Sequence, residues 1–166
     1  MLTLGVDPGT ARCGYGIIAG DRTLVAITHG CISTSSHDGL GTRLAAIRDG
    51  LEALFAEHAI TAVSVERLGH ARALTSMADV WYVIGLVHVL ATDHGLAVET
   101  YSPPEIKLSV AGYGAADKGQ VQAMVKRLLR LESSPTPDHA ADALAVAICH
   151  VHSYRARALE QIVVRG

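Results

Sequence analysis

The sequence has 166 residues, a formal net charge of −2 and 49% hydrophobic residues. This length supports one domain with a sizeable core, and the charge excludes a protein that is basic over its whole surface, so any nucleic-acid site must be local. The three cysteines are an odd number without framework spacing, and no signal peptide is visible, so we expect reduced thiols and a cytoplasmic protein.

Three strands of an antiparallel meander are predicted first: residues 2–7, 13–19 and 24–33. A helix beginning at Leu40 then leads to a short β-branched strand, residues 62–65, which ends in Glu66. A strand reached through a helical crossover should lie parallel to the first strand and near it.

The remaining elements alternate and then become helical. They are a long apolar helix over 73–94, a fifth strand over 97–101, and helices over 105–110, 118–131 and from 138 past 150. The long helix carries Asp79 and His88, which are expensive in a bilayer, so we expect no membrane partner; its apolar surface serves the core or a partner. The order predicts one α/β domain over 1–166: a mixed five-stranded sheet, three antiparallel strands then parallel ones, with helices on both faces.

The first strand delivers Asp7 directly before Pro8 and Gly9. Pro8 favours extended backbone at Asp7, and Gly9 allows a positive φ in a tight turn. Asp7 therefore ends its strand where open α/β sheets place their ligands, although an Asx-turn is an equally ordinary role. Gly14 and Gly16 in the second strand indicate a close approach by backbone or ligand.

Acidic groups converge on the same edge of the predicted sheet. Asp7 and Glu66 end the first and fourth strands, and their mutual repulsion would be relieved by a divalent cation. His139 and Asp142 are three residues apart and share one helix face. Such oxygen-rich ligands with one imidazole could hold two divalent ions at the spacing, about 4 Å, of phosphodiester chemistry.

Each of these residues also has a plain structural interpretation. Glu66 could be a solvated strand end, and His139 and Asp142 could be surface helix residues. Asp138, after a proline and before an apolar-periodic run, is interpreted as the N-cap of the last helix rather than as a ligand.

The chain resembles the RuvC family of Holliday junction resolvases, which have the ribonuclease H fold. The similarity extends in order over nearly the whole chain to about His152. The segments that carry it are Gly5-Val6-Asp7-Pro8-Gly9-Thr10, Gly14-Tyr15-Gly16, Val65-Glu66, Gly112-Tyr113-Gly114, Lys118, Gln120-Val121-Gln122 and Ala140-Ala141-Asp142-Ala143-Leu144-Ala145.

The resemblance implies a metal-dependent endonuclease that nicks two opposing strands of a four-way DNA junction in recombination and repair. The family's acids match Asp7, Glu66 and Asp142, and its remaining site position, often aspartate, is His139 here. These four residues are the expected catalytic and metal-binding set, with Mg²⁺ or Mn²⁺ as the cofactor and two ions per site. The expected products carry 5′-phosphate and 3′-hydroxyl ends.

The resemblance also implies how DNA and partners are bound. Lys107 and Lys118 match basic positions near the scissile backbone, and Arg67 and Arg72 lie in the loop after Glu66. The family often has a stacking aromatic where this chain has Gly69, so Tyr113 or His70 is the substitute we consider. A homodimer is expected, since two opposed cuts need two sites related by a two-fold axis, and the family works beside a branch-migration motor.

Three other classes share parts of these patterns. Actin-like kinases and ATPases also open with Asp-x-Gly-Thr, but they need two such domains and lack the late His/Ala/Ala/Asp helix. A ribonuclease H-fold nuclease for RNA or single strands would use the same acids. A binding module with a degraded site is opposed by four ligand-type positions that are all present.

Overall fold

The computed structural model describes residues 1–67 and 74–165. Five strands and five helices alternate along this part of the chain. The strands are β1 (Leu2–Asp7), β2 (Arg12–Gly20), β3 (Leu24–Ser33), β4 (Ala62–Glu66) and β5 (Val98–Tyr101). The helices are α1 (Leu40–Glu57), α2 (Leu74–Asp93), α3 (Pro103–Ala111), α4 (Lys118–Leu128) and α5 (Asp138–Arg165).

The sheet has the order β3-β2-β1-β4-β5 and is mixed, as predicted. β1, β2 and β3 form antiparallel pairs, whereas β1 and β4, and β4 and β5, are parallel. The crossover through α1 brings β4 beside β1, because a parallel partner can only be reached by a long connection. The carboxyl ends of β1 and β4 therefore meet at one edge of the sheet.

Helices cover both faces of the sheet, each with its own core. Leu4, Val6 and Ile17 pack with α1 and α2 on one face. Ile18, Leu24 and Tyr101 pack with α3, α4 and α5 on the other face. The alternation of Ile17 and Ile18 between the two cores follows from the two-residue period of a strand.

Two helix boundaries differ from the sequence-based expectation. Helix α3 begins at Pro103 rather than at Glu105, since proline is well suited to the first turn and Glu105 Oε2 accepts from the backbone N–H of Ser102 at 2.7 Å. Helix α4 ends at Leu128 because the backbone at Arg130 turns left-handed, with φ at 53°. Within the described residues, no helix is long and apolar enough to cross a membrane.

Candidate active site

Asp7 lies at the end of the central strand β1 with only 7% of its surface exposed. The turn after it is tight for a reason other than the predicted one: the backbone at Gly9 is not left-handed. A Cβ at Gly9 would lie 2.6 Å from the carbonyl oxygen of Arg12, so glycine is required by the close approach of two backbone segments.

Helix α5 approaches the sheet through a patch of glycines on β1 and β2. A Cβ on Gly5 would lie 2.1 Å from the carbonyl oxygen of Ala143, and one on Gly14 would lie 2.1 Å from that of His139. Gly5 pairs with Gly16 across the two strands. The close approach expected at Gly14 and Gly16 is thus confirmed, and the approaching element is the backbone and side chains of α5.

This contact brings the first turns of α5 to Asp7. The Nδ1 atom of His139 lies 2.7 Å from Oδ2 of Asp7. Asp7, His139 and Asp142 each offer a ligand atom, and these atoms lie within 4.8 Å of one another. Two carboxylates and an imidazole form a donor set that suits Mn²⁺, and the carboxylates suit Mg²⁺ as well.

Glu66 ends the neighbouring strand β4 and lines the same cleft as these three residues. It does not belong to the tight group of ligand atoms found among the described residues. The cleft has a volume of about 290 Å³. Its lining combines the four predicted site residues with two lysines and an apolar wall: Asp7, Glu66, Pro103, Ile106, Lys107, Lys118, Val121, His139, Asp142 and Ala145.

Lys118, one of the two lysines in the cleft lining, forms ion pairs with two aspartates of α5. Its Nζ atom lies 3.1 Å from Oδ2 of Asp142 and 3.2 Å from Oδ2 of Asp138. Burial acts to lower the pKa of Lys118, but the hydrogen bonds and charges of Asp142 and Asp138 outweigh it and raise this pKa. Burial raises the pKa of Asp142 despite the opposing effect of Lys118.

Asp138 has a different role from the predicted N-cap. Helix α5 begins at Asp138 itself, and the Asp138 carboxylate accepts hydrogen bonds from Lys118 and from Gln122 Nε2, the latter at 3.2 Å. The bond to Lys118 is the main cause of a lowered pKa at Asp138. Both partners lie on α4, far from Asp138 in sequence, and no local pattern could have indicated this pairing.

Arg67 and Tyr113, two of the other predicted DNA contacts, are not among the residues that line the cleft. The exposed guanidinium of Arg67 lies 3.7 Å from Glu105, and Tyr113 is 60% exposed. Arg72, Gly69 and His70 lie outside the described residues.

Comparisons with known proteins point in one direction. The family model described as "Crossover junction endodeoxyribonuclease RuvC" matches residues 3–150. A protein of that name from Heliobacterium modesticaldum is 46% identical over 155 residues, which cover 92% of this chain and 95% of the relative. One from Syntrophomonas wolfei is also 46% identical, over 156 residues, with 93% and 91% covered.

Solved structures agree with the sequence matches. Thermus thermophilus RuvC in complex with a Holliday junction substrate superposes with a TM-score of 0.89 at 31% identity, covering 93% of this chain and 95% of that one. Another structure of T. thermophilus RuvC gives a TM-score of 0.86 at the same identity, covering 93% and 96%.

Proposed function

The chain belongs to the RuvC family of crossover junction endodeoxyribonucleases, and on this premise we propose that it resolves four-way (Holliday) DNA junctions in recombination and repair. It is a metal-dependent endonuclease that makes paired, symmetric nicks. The observation that carries the proposal is the convergence of Asp7, His139 and Asp142 within 4.8 Å, in a cleft that also contains lysines.

We propose that Asp7, Glu66, His139 and Asp142 together hold two divalent ions, Mg²⁺ or Mn²⁺, with Asp7 shared between them. The donor set supports this, because Asp7 is in hydrogen-bond contact with His139 and lines one cleft with Glu66 and Asp142. Divalent ions at such a site activate a water and stabilise the leaving oxygen. The chain's products then carry 5′-phosphate and 3′-hydroxyl ends.

The protein's own groups orient the substrate. Lys118 stands at the first residue of α4, so its ammonium and the helix N-terminus present positive charge to a phosphate in the cleft. Lys107 of α3 also lines the cleft. The bond between Asp7 Oδ2 and His139 Nδ1 fixes the orientation of the imidazole.

The test is cleavage of a labelled synthetic four-way junction beside a linear duplex of the same sequence, with Mn²⁺, Mg²⁺ or EDTA. We expect paired symmetric nicks in the junction alone, and only with metal. Cutting of RNA or single strands without any junction cutting would contradict the proposal and favour the other ribonuclease H-fold activity.

We also propose that the enzyme is a homodimer formed through α2. Val80, Ile84 and Val87 of this helix are buried in the core, but its other face leaves Trp81 51% and Val89 59% exposed. A second copy is the natural occupant, because two opposed cuts need two sites related by a two-fold axis.

Sedimentation of Val89→Glu tests this interface. We expect the dimer to weaken and paired nicks to become single ones, since burying an unpaired carboxylate is costly. Leu159→Glu is the matched control, because Leu159 is a similarly exposed apolar residue, at 61%, on α5. A dimer that survives Val89→Glu as well as Leu159→Glu would contradict the proposed interface.

Further contacts are proposed from the family and from the positions of the residues. Arg67, Arg72 and Tyr113 contact the arms of the junction. A branch-migration motor acts beside the dimer, and the location is the cytoplasm, where bacterial chromosomal DNA lies.

A further inference from the structure

A polar network lies behind the turn that follows Asp7. Arg43 of α1 donates from Nη2 to Thr10 Oγ1 at 2.8 Å and from Nε to Thr34 Oγ1 at 3.1 Å. The Thr10 hydroxyl donates to Oδ2 of Asp79 on α2 at 3.0 Å. The Thr34 hydroxyl donates to the carbonyl oxygen of Thr10 at 2.6 Å. The network therefore joins α1, α2 and the end of β3 to one residue of the turn.

The hydrogen bonds of this network are mutually consistent. Each threonine hydroxyl donates once and accepts once, and Arg43 supplies both of the accepted protons. Thr10 is only 4% exposed, so solvent cannot readily replace its partners. Removing its hydroxyl would leave polar groups of Arg43 and Asp79 without this partner, which is the costly way to lose a hydrogen bond.

The turn connects this network to the active site by a very short path. Only Pro8 and Gly9 separate Thr10 from Asp7, and Gly9 is packed directly against the backbone of Arg12. On its other side, Asp7 is held by the pairing of β1 with β2, opposite Gly14. A shift of Thr10 would therefore move the end of β1 and the Asp7 carboxylate with it.

We propose that Thr10 is a positioning residue for Asp7, and that Arg43 and Asp79 act on the metal site through its hydroxyl. This rests on the proposed function in so far as Asp7 is a metal ligand. The competing explanation is that Thr10 only fills space under the turn. Valine has nearly the same shape as threonine without the hydroxyl, so Thr10→Val separates the two explanations.

The first measurement is the affinity of the DNA-free protein for Mn²⁺, with electron paramagnetic resonance as the method of detection. We expect Thr10→Val to weaken binding by roughly 10- to 100-fold, the range seen when groups that orient metal ligands are removed. On the four-way junction, kcat should fall while KM for DNA is unchanged. Thr10→Ser keeps the hydroxyl and should restore both properties.

Thr3→Val, on the strand β1 that leads into the turn, is the matched control. Thr3 is fully buried, and its hydroxyl has no hydrogen-bond partner among the described residues. The Thr3→Val variant should therefore bind Mn²⁺ and cut DNA as the wild type does. Equal Mn²⁺ binding by Thr10→Val and Thr3→Val would overturn the proposal, as would a Thr10→Ser variant as impaired as Thr10→Val.

A second variant keeps the test decisive if Thr10→Val fails to fold. Asp79→Ala removes the carboxylate that accepts the hydrogen bond from the Thr10 hydroxyl. Asp79 is half-buried on α2, so this substitution leaves the residues of the turn unchanged. It should also weaken Mn²⁺ binding, and unchanged binding would overturn the proposal. A wild type that binds Mn²⁺ but does not cut junctions would instead contradict the proposed function, because the binding comparison does not depend on cleavage.

Discussion

The two faces of the sheet are packed in different ways. Toward α1 and α2, large side chains such as Ile47 and Leu51 fill the space between helix and sheet. Toward α5, the centre of the sheet presents Gly5, Gly14 and Gly16. The backbone of the helix comes close to Gly5 and Gly14, and its Leu144 side chain packs on Gly16. Side chains can repack, whereas two backbones in contact cannot. The face that sets the position of His139 and Asp142 is thus the face with the least freedom to adjust.

The largest effect is expected from Asp7→Asn on the α5 face. The substitution keeps the shape of the side chain but removes the charge shared by the proposed ions, so cutting should fall by at least about 1,000-fold. Junction binding, measured by gel shift with Ca²⁺ in place of the active ion, should be retained. Loss of binding to the same degree would contradict the assigned role.

The glycine contact itself is tested by Gly5→Ala. The new Cβ would lie 2.1 Å from the carbonyl oxygen of Ala143, so α5 must move. We expect the free energy of unfolding to fall by about 1–3 kcal/mol and kcat to fall by about 100-fold.

Gly41→Ala in α1 is the control for that substitution. A Cβ there meets no atom within 4 Å among the described residues. Its stability should be unchanged or rise by up to about 1 kcal/mol, and its activity should be that of the wild type. Equal effects at the two glycines would remove the distinction between the faces.

A smaller, chemical effect is expected at His139. Imidazole suits Mn²⁺ better than Mg²⁺, so the wild type should be more active with Mn²⁺, and His139→Asp should shift the ratio of the two rates toward Mg²⁺ by about tenfold. Equal cleavage rates with Mn²⁺ and Mg²⁺, in the wild type and in His139→Asp alike, would refute this role of the imidazole.

The apolar core of the opposite face, apart from the polar network around Thr10, should respond in stability and not in chemistry. Leu51→Ala removes a side chain that is 1% exposed and leaves a cavity, so the free energy of unfolding should fall by about 2–5 kcal/mol. At a temperature where the variant is folded, kcat should stay close to the wild-type value. A loss of kcat as large as that of Gly5→Ala would show that the apolar packing of this face also positions the site.

The smallest effect concerns His150 in the buried part of α5, whose Nδ1 lies 3.1 Å from the Tyr101 hydroxyl. Burial lowers the pKa of His150 below its ordinary value of 6.5. The unfolded chain therefore binds a proton that the folded chain does not, and stability is lost as the pH falls through and below 6.5. In urea unfolding between about pH 7 and about pH 5, His150→Gln should lose less stability than the wild type.

The sequence predicted the sheet because its signals were local or followed from chain connectivity. The crossover rule placed β4 beside β1, and so brought Asp7 and Glu66 to one cleft. The glycines Gly14 and Gly16 indicated a close approach, but nothing near them identified α5 as the partner. The helical spacing to Asp142 made His139 a candidate ligand and the resemblance to a family supported it, but its contact with Asp7 is visible only after α5 is in place.

Other contacts could not be predicted, because they join residues that are distant in sequence through side-chain geometry. The network of Arg43, Thr10 and Asp79 depends on two helices meeting behind one turn. Lys118 meets Asp138 and Asp142 only when α4 packs on α5. Single charged residues on helices look solvated in a sequence, and folding alone shows which of them have partners.

The glycine contact with α5 also bears on how this protein can evolve. At Gly5 and Gly14 every other amino acid adds a Cβ that would collide with main-chain atoms, so compensation by a neighbouring side chain is not available. Selection should therefore hold these glycines as firmly as the acids proposed to bind metal. If related sequences keep these glycines unchanged, the reason would be the close approach of α5 and not a catalytic role of the glycines.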